Sequence, residues 1–175
     1  ALAGMDMILH ATYMDDAALN AVVERRVPIV PTFTFQANLA DYGAAVGASE
    51  GIRKIFQKEI EESAVMLKRA YDAGVPMLCG TESGFSITPY GDWHYRELEV
   101  FVKDLGFTPL EAIRAATSDN AFALGLTGET GAVEVGRLAD LLLVAGDVAR
   151  DVTVLGRREN LRQVIMNGEP VPSFS

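Results

Sequence analysis

Short runs that are apolar at nearly every position alternate, along this chain, with longer stretches in which apolar residues recur every three or four positions. MDMIL (5–9), VPIVPT (27–32) and VPMLCGT (75–81) are of the first kind and predict strands buried on both faces. Between them, Leu19, Val22 and Val23 predict a helix opened by Asp15 and Asp16 and closed by Arg25 and Arg26. Ile52, Ile55, Phe56 and Leu67 predict a long helix with Ser49 as its N-cap and Gly74 at its end. The second and third strands echo each other, each beginning Val-Pro after a helix and reaching Thr near its end. Wholly apolar strands separated by helices are the pattern of a parallel sheet with right-handed crossovers, an α/β fold. Such folds display their chemistry at the C-terminal ends of the strands, where His10, Thr32 and Glu82 fall.

After residue 93 the pattern changes. REL followed by Val100, Phe101 and Val102 predicts a helix ended by Gly106, and TPLE (108–111) is a capping box with Thr108 as N-cap, Pro109 at the first helical position and Glu111 reaching back. Leu110, Ile113 and alanines 112, 115 and 116 make this a small-residue helix able to pack closely, and Ser118 is expected to cap a further short helix through Leu124. From Gly128 onward, AVEV, LLLV and QVIM predict short strands, with a hairpin over 162–171 around Asn167-Gly168. Two units follow: 1–126, α/β, and 127–175, a small β segment.

Bulk properties narrow the function. At 175 residues and 49% hydrophobic the chain has the length and apolar content of one domain with a sizeable core. A net charge of -9 repels phosphate backbones and anionic surfaces, which argues against nucleic acid and membrane as partners. No apolar run approaches the ~18 to 20 residues of a membrane span, and the first residues lack the basic region of a signal peptide. The single Cys79 cannot form an internal disulfide, which fits a reducing, cytoplasmic setting, and its place in a strand predicts a buried structural thiol.

Familiar nucleotide and nucleophile motifs are missing: no GxGxxG, no P-loop, no CxxC pair, no GxSxG elbow. The two histidines are His10 and His94, whereas a catalytic zinc uses about three protein ligands and a water. His10, at a strand end, is either hydrogen-bonded scaffold or ligand; Glu82 either caps a following turn or serves chemistry.

Three stretches in order carry a resemblance. ILHATYMDDAALNAVVERRVPIVPT (8–32) resembles the segment of the amidohydrolase superfamily that spans its sixth barrel strand, with a ligand histidine, and its seventh. CGTESG (79–84) resembles the eighth-strand motif GTDSG. LGFTPLEAIRAATSDNAFALGL followed by GAVEVGRLADLLLV is similar to the C-terminal signature of that superfamily, nearest to imidazolonepropionase-like and Xaa-Pro dipeptidase-like enzymes.

The resemblance implies the C-terminal part of a (β/α)8 TIM-type barrel, strands six to eight, followed by a β segment of an accessory β-sandwich domain. It implies a hydrolase in which one or two divalent ions, zinc foremost, activate water against an amide or cyclic amide carbon. His10 would bind a metal or the substrate carbonyl, Glu82 would be a metal ligand and also the proton carrier, and Thr32, Tyr90 and His94 are expected to contact a small amide or dipeptide-like substrate, with His94 open as a third ligand. Glu82 stands where the family has Asp, and its extra methylene moves the carboxylate by about 1.5 Å. The first-strand HxH pair, fourth-strand lysine and fifth-strand histidine have no counterpart. The chain is therefore expected to correspond to roughly the C-terminal two-fifths of such an enzyme, as a truncated frame, a proteolytic product or half of a split enzyme. Alone it should bind metal weakly, hydrolyse nothing at an enzymatic rate, and either self-associate or pair with a missing N-terminal part. Two other classes remain: a non-catalytic subunit completing a barrel with another chain, and a binding module lined by Phe33, Phe35, Tyr42 and Tyr90.

Overall fold

The computed structural model describes residues 1–172 of the chain; the last three positions of the expected β segment, 173–175, lie outside the described residues. Three extended segments lie side by side: β1 (Ile8–Leu9), β2 (Ile29–Val30) and residues 75–79. β1 pairs with β2 in parallel, and Ile29 bridges Met77 in parallel on the other side, so the order follows the sequence. The ladders are shorter than the apolar runs suggest. Pro28, Pro31 and Pro76 lack N–H donors, which removes ladder positions from the second and third segments, while the first contains no proline. The pairing that remains is regular: Ile8 N–H to Pro28 O (2.9 Å), His10 N–H to Val30 O (2.8 Å), Leu78 N–H to Ile29 O (2.8 Å).

Helices supply the covering layer. In α1 (Asp16–Arg25) the Asp15 side chain caps the Ala18 N–H at 2.8 Å, and Arg26 closes the helix in a left-handed conformation. Helix α2 (Thr34–Tyr42) was not foreseen from the pattern, and its N-cap position, Phe33, offers no side-chain acceptor. Helix α3 (Glu50–Asp72) is capped by Ser49 as expected and turns out at Gly74. Its buried face is Ile60, Ser63, Ala64, Leu67 and Ala70, whereas Ile52 and Ile55, expected to define the apolar stripe, are exposed.

Helix α4 (His94–Lys103) follows, then α5 (Pro109–Ala116) with its full capping box, then α6 (Ser118–Ala123). Ser118 is the first helical residue of α6, and the cap position belongs to Thr117, whose hydroxyl instead donates to the Ile113 carbonyl. Buried Ala112 and Ala115 let α5 come close enough for the Cys79 N–H to reach the Ala115 carbonyl at 3.4 Å, and the Asn120 amide donates to the Cys79 carbonyl at 2.7 Å. These bonds partner the outer edge of the third extended segment. Ile29, Phe33, Leu67, Phe101 and Leu105, all fully buried, form the centre of the core.

The C-terminal segment holds an antiparallel sheet of β3 (Leu141–Val144), β4 (Leu161–Met166) and β5 (Glu169–Pro170). Asn167 and Gly168 both have positive φ, 52° and 83°, the pairing a two-residue hairpin turn requires. AVEV (132–135) is not a strand: Gly131 and Gly136 turn the chain on either side, and Val133 and Val135 are exposed. Val152, in a 3-10 turn over 152–156, joins the main core.

Candidate active site

Parallel pairing brings the ends of the three segments to one rim. His10 follows β1 and Thr32 follows β2, while Gly80 lies so close to β2 that a Cβ there would stand 2.5 Å from Val30 Cγ1. Only glycine permits that approach. Two residues on is Glu82. His10, Thr32 and Glu82 each adopt a positive φ, 69°, 57° and 51°, so each strand ends in an abrupt left-handed turn.

The Thr32 hydroxyl is buried and stands 2.5 Å from His10 Nδ1 and 2.7 Å from the Pro31 carbonyl. A hydroxyl has one proton, and the carbonyl can only accept it. Thr32 therefore accepts from His10, which puts the proton of the neutral ring on Nδ1 and the lone pair on Nε2. That is the form in which histidine ligates a metal. The ring itself is exposed.

Glu82 is exposed and makes no hydrogen bond or ion pair among the described residues, so the structure gives no support to a turn-capping role. His94 opens α4; its Nε2 accepts from the Gly91 N–H at 3.2 Å, which puts the proton of the neutral ring on Nδ1, between the Thr81 and Ser83 hydroxyls at 3.3 Å each. It thus ties the loop after the third segment to the start of α4. Tyr90 is 79% exposed, and its ring lies over Gly84 in the same loop. Asn38 of α2 holds that loop by donating to the Ile87 carbonyl at 3.2 Å. The aromatics of the alternative lining are mostly engaged elsewhere: Phe33 is core, Phe35 packs edge-on against Phe56 and Phe85, and Tyr42 lies against Trp93.

Among the described residues no group of three or more His, Cys, Asp or Glu side chains is gathered tightly enough to hold a metal ion. His10 Nε2 and the Glu82 carboxylate are donor types that divalent metals accept, too few by themselves to form a metal centre. Burial pushes the Cys79 thiol up, with the Glu97 carboxylate adding to the shift, so it is no nucleophile at neutral pH.

One residue of the neighbourhood escaped the sequence reading. Glu97, on α4, is fully buried and accepts from the Phe33 N–H at 3.0 Å and from the N–H and hydroxyl of Thr34 at 2.8 Å each. The missed signal is a carboxylate on the apolar face of its helix, one turn before Phe101. Burial pushes its acid up to about 7 from an ordinary 4.5, against the opposing pull of those donors. A raised folded-state value means that the stabilisation is full below about pH 4.5 and is lost as pH rises through about 7. The Glu97→Gln variant should lack this slope. Denaturant unfolding at pH 4.5 and pH 8 should show the parent losing about 3 kcal/mol more than the variant; parallel pH profiles would contradict it.

Comparison with known proteins bears on the family and the fold. The amidohydrolase family model matches residues 2–171. A solved Xaa-Pro dipeptidase with bound methionine superposes at a TM-score of 0.78 with 28% identity, covering 98% of this chain and 41% of that one. A Bifidobacterium longum protein assigned as a prolidase superposes at 0.77 with 31% identity, covering 97% and 42%. Imidazolonepropionase of Flavobacterium johnsoniae is 34% identical over 71 residues, 41% of this chain and 17% of that protein. The chain thus spans about two-fifths of the solved chains it matches, and the likeness gives its α/β architecture the TIM-barrel type. No helix among the described residues is long and apolar enough to cross a membrane. With the family model matching nearly every residue and the fold following amidohydrolases throughout, the chain belongs to the amidohydrolase family.

Proposed function

We propose that this chain supplies the sixth, seventh and eighth strands of a hydrolase barrel (residues 1–126) and part of an accessory β domain (residues 127–175), and that the assembled enzyme cleaves an amide or Xaa-Pro-type bond. The observation that carries the reading is the Thr32 to His10 hydrogen bond, which spans two parallel strand ends and leaves His10 Nε2 free to ligate. His10 and Glu82 are the ligands this chain contributes to a divalent-metal site, with zinc the expected ion and the remaining ligands supplied by the rest of the barrel. Bound there, the metal would lower the pKa of a coordinated water and polarise the scissile carbonyl.

The chain's own residues then have separable tasks. Glu82, exposed and unpaired, takes the proton of the attacking water and returns it to the leaving nitrogen as the carbon–nitrogen bond breaks. Thr32 orients His10 from behind. Tyr90 and His94 lie on or beside the loop after strand eight and border the substrate, held down by Asn38.

Completion of the barrel tests this reading. The chain is co-expressed with the first five strands of a related enzyme, such as the Bifidobacterium longum protein. Co-purification and zinc-dependent hydrolysis of Xaa-Pro dipeptides are expected, with no turnover from the 175-residue chain alone. A stable complex that remains inactive with zinc on dipeptides, N-acyl amino acids and small lactams would overturn it.

A further inference from the structure

Glu97 has no part in the chemistry above, yet it is the largest charged side chain hidden completely in the core. Among the described residues no lysine, arginine or histidine pairs with it. A carboxylate buried without a cation is costly unless its oxygens are fully engaged, and here every bond it accepts comes from one place. Phe33 N–H reaches Oε1, and Thr34 N–H and hydroxyl reach Oε2. Those two residues follow directly on Thr32, whose hydroxyl holds His10.

Thr32 needs such support. It is β-branched and sits at φ 57°, in the left-handed region where a residue of this shape is strained by ~1–3 kcal/mol. Nothing local offsets this. Phe33 has no side chain to cap α2, so the first turn of that helix takes its acceptor from α4, 63 and 64 positions away. A fork that grips two consecutive N–H groups fixes both the position and the rotation of the peptide just after Thr32.

We infer that Glu97 is a positioning residue: from α4 it clamps the turn after the second strand, so that Thr32 keeps its left-handed conformation and presents its hydroxyl to His10 Nδ1. The functional meaning of this clamp rests on the reading of His10 as a ligand, because in the neutral ring it favours the tautomer with the lone pair on Nε2. The clamp also joins the second and third strand ends, since α4 follows the loop that carries Glu82.

The test reads the His10 tautomer directly, by long-range 1H–15N correlation in the 15N-labelled chain, with His10→Ala assigning the signals. In the parent the Nδ1–H form is expected to dominate. Thr32→Val should make it the minor form, and Glu97→Gln should do the same with the fold retained by circular dichroism, although it leaves both Thr32 and His10 in place. A folded Glu97→Gln variant that melts earlier but keeps the parent tautomer would show a purely structural role and overturn the inference. Should that variant not fold, Thr34→Val, which removes one donor, must reduce the Nδ1–H population while Thr34→Ser restores it; a parent-like tautomer in both overturns the inference equally. Zinc titration separates the two readings. Tautomer shifts without any zinc binding uphold the clamp and count against the metal site, whereas zinc lost in His10→Ala with a tautomer unmoved by Glu97→Gln sinks the clamp alone.

Discussion

In the completed barrel, Glu82→Gln is expected to lower kcat by roughly 10²- to 10⁴-fold, the usual worth of a positioned acid–base group, with little change in KM. Glutamine keeps the shape, loses the ability to carry a proton and is a weaker metal ligand, so the comparison is made at equal metal content. Because Glu82 is exposed and unpaired among the described residues, its replacement should shift unfolding free energy by no more than about 0.5 kcal/mol. A lost rate therefore reports on chemistry and not on folding. Glu82→Asp offers a sharper comparison, since it keeps the charge and withdraws it by one methylene. Steady-state kinetics of the three proteins settles the matter, and a Glu82→Gln variant within a factor of three of the parent would remove Glu82 from the reaction.

Phe101→Ala is expected to destabilise the chain by ~3–5 kcal/mol. Phe101 is fully buried on α4, with Phe107 against it at 4.9 Å between ring centroids, and the core it fills joins α4 to the elements behind the rim. A domain of this size has on the order of 5–15 kcal/mol of stability in total, so the variant should lose a large share of it. Urea denaturation followed by circular dichroism measures the loss; a value below about 1 kcal/mol would mean that the core relaxes around the cavity.

How far the sequence reveals this molecule depends on whether the cause of each element lies near it in the chain. Helices α1, α3 and α5 carry their own caps, Asp15, Ser49 and the Thr108–Glu111 box, and Asn167-Gly168 carries its own turn. All are legible. Helix α2 is not, because its acceptor is Glu97, brought in by the tertiary fold. The apolar runs forecast the parallel segments but not their short ladders, to which the prolines of the second and third segments contribute, and AVEV has strand composition without a partner strand among the described residues. At the site, strand-end position singled out His10, Thr32 and Glu82. The direction of the Thr32 bond, and with it the imidazole tautomer, emerges only when Pro31 O and His10 Nδ1 stand around one hydroxyl.

The most direct measurement of the central claim is the metal content of the completed barrel, by elemental analysis after gel filtration, in the parent and in His10→Ala. The account predicts at least one equivalent of divalent metal in the parent and a clear loss in the variant, because with His10 Nε2 as a proposed ligand its replacement leaves the site one donor short. Equal metal content in both proteins, with both folded, would contradict it.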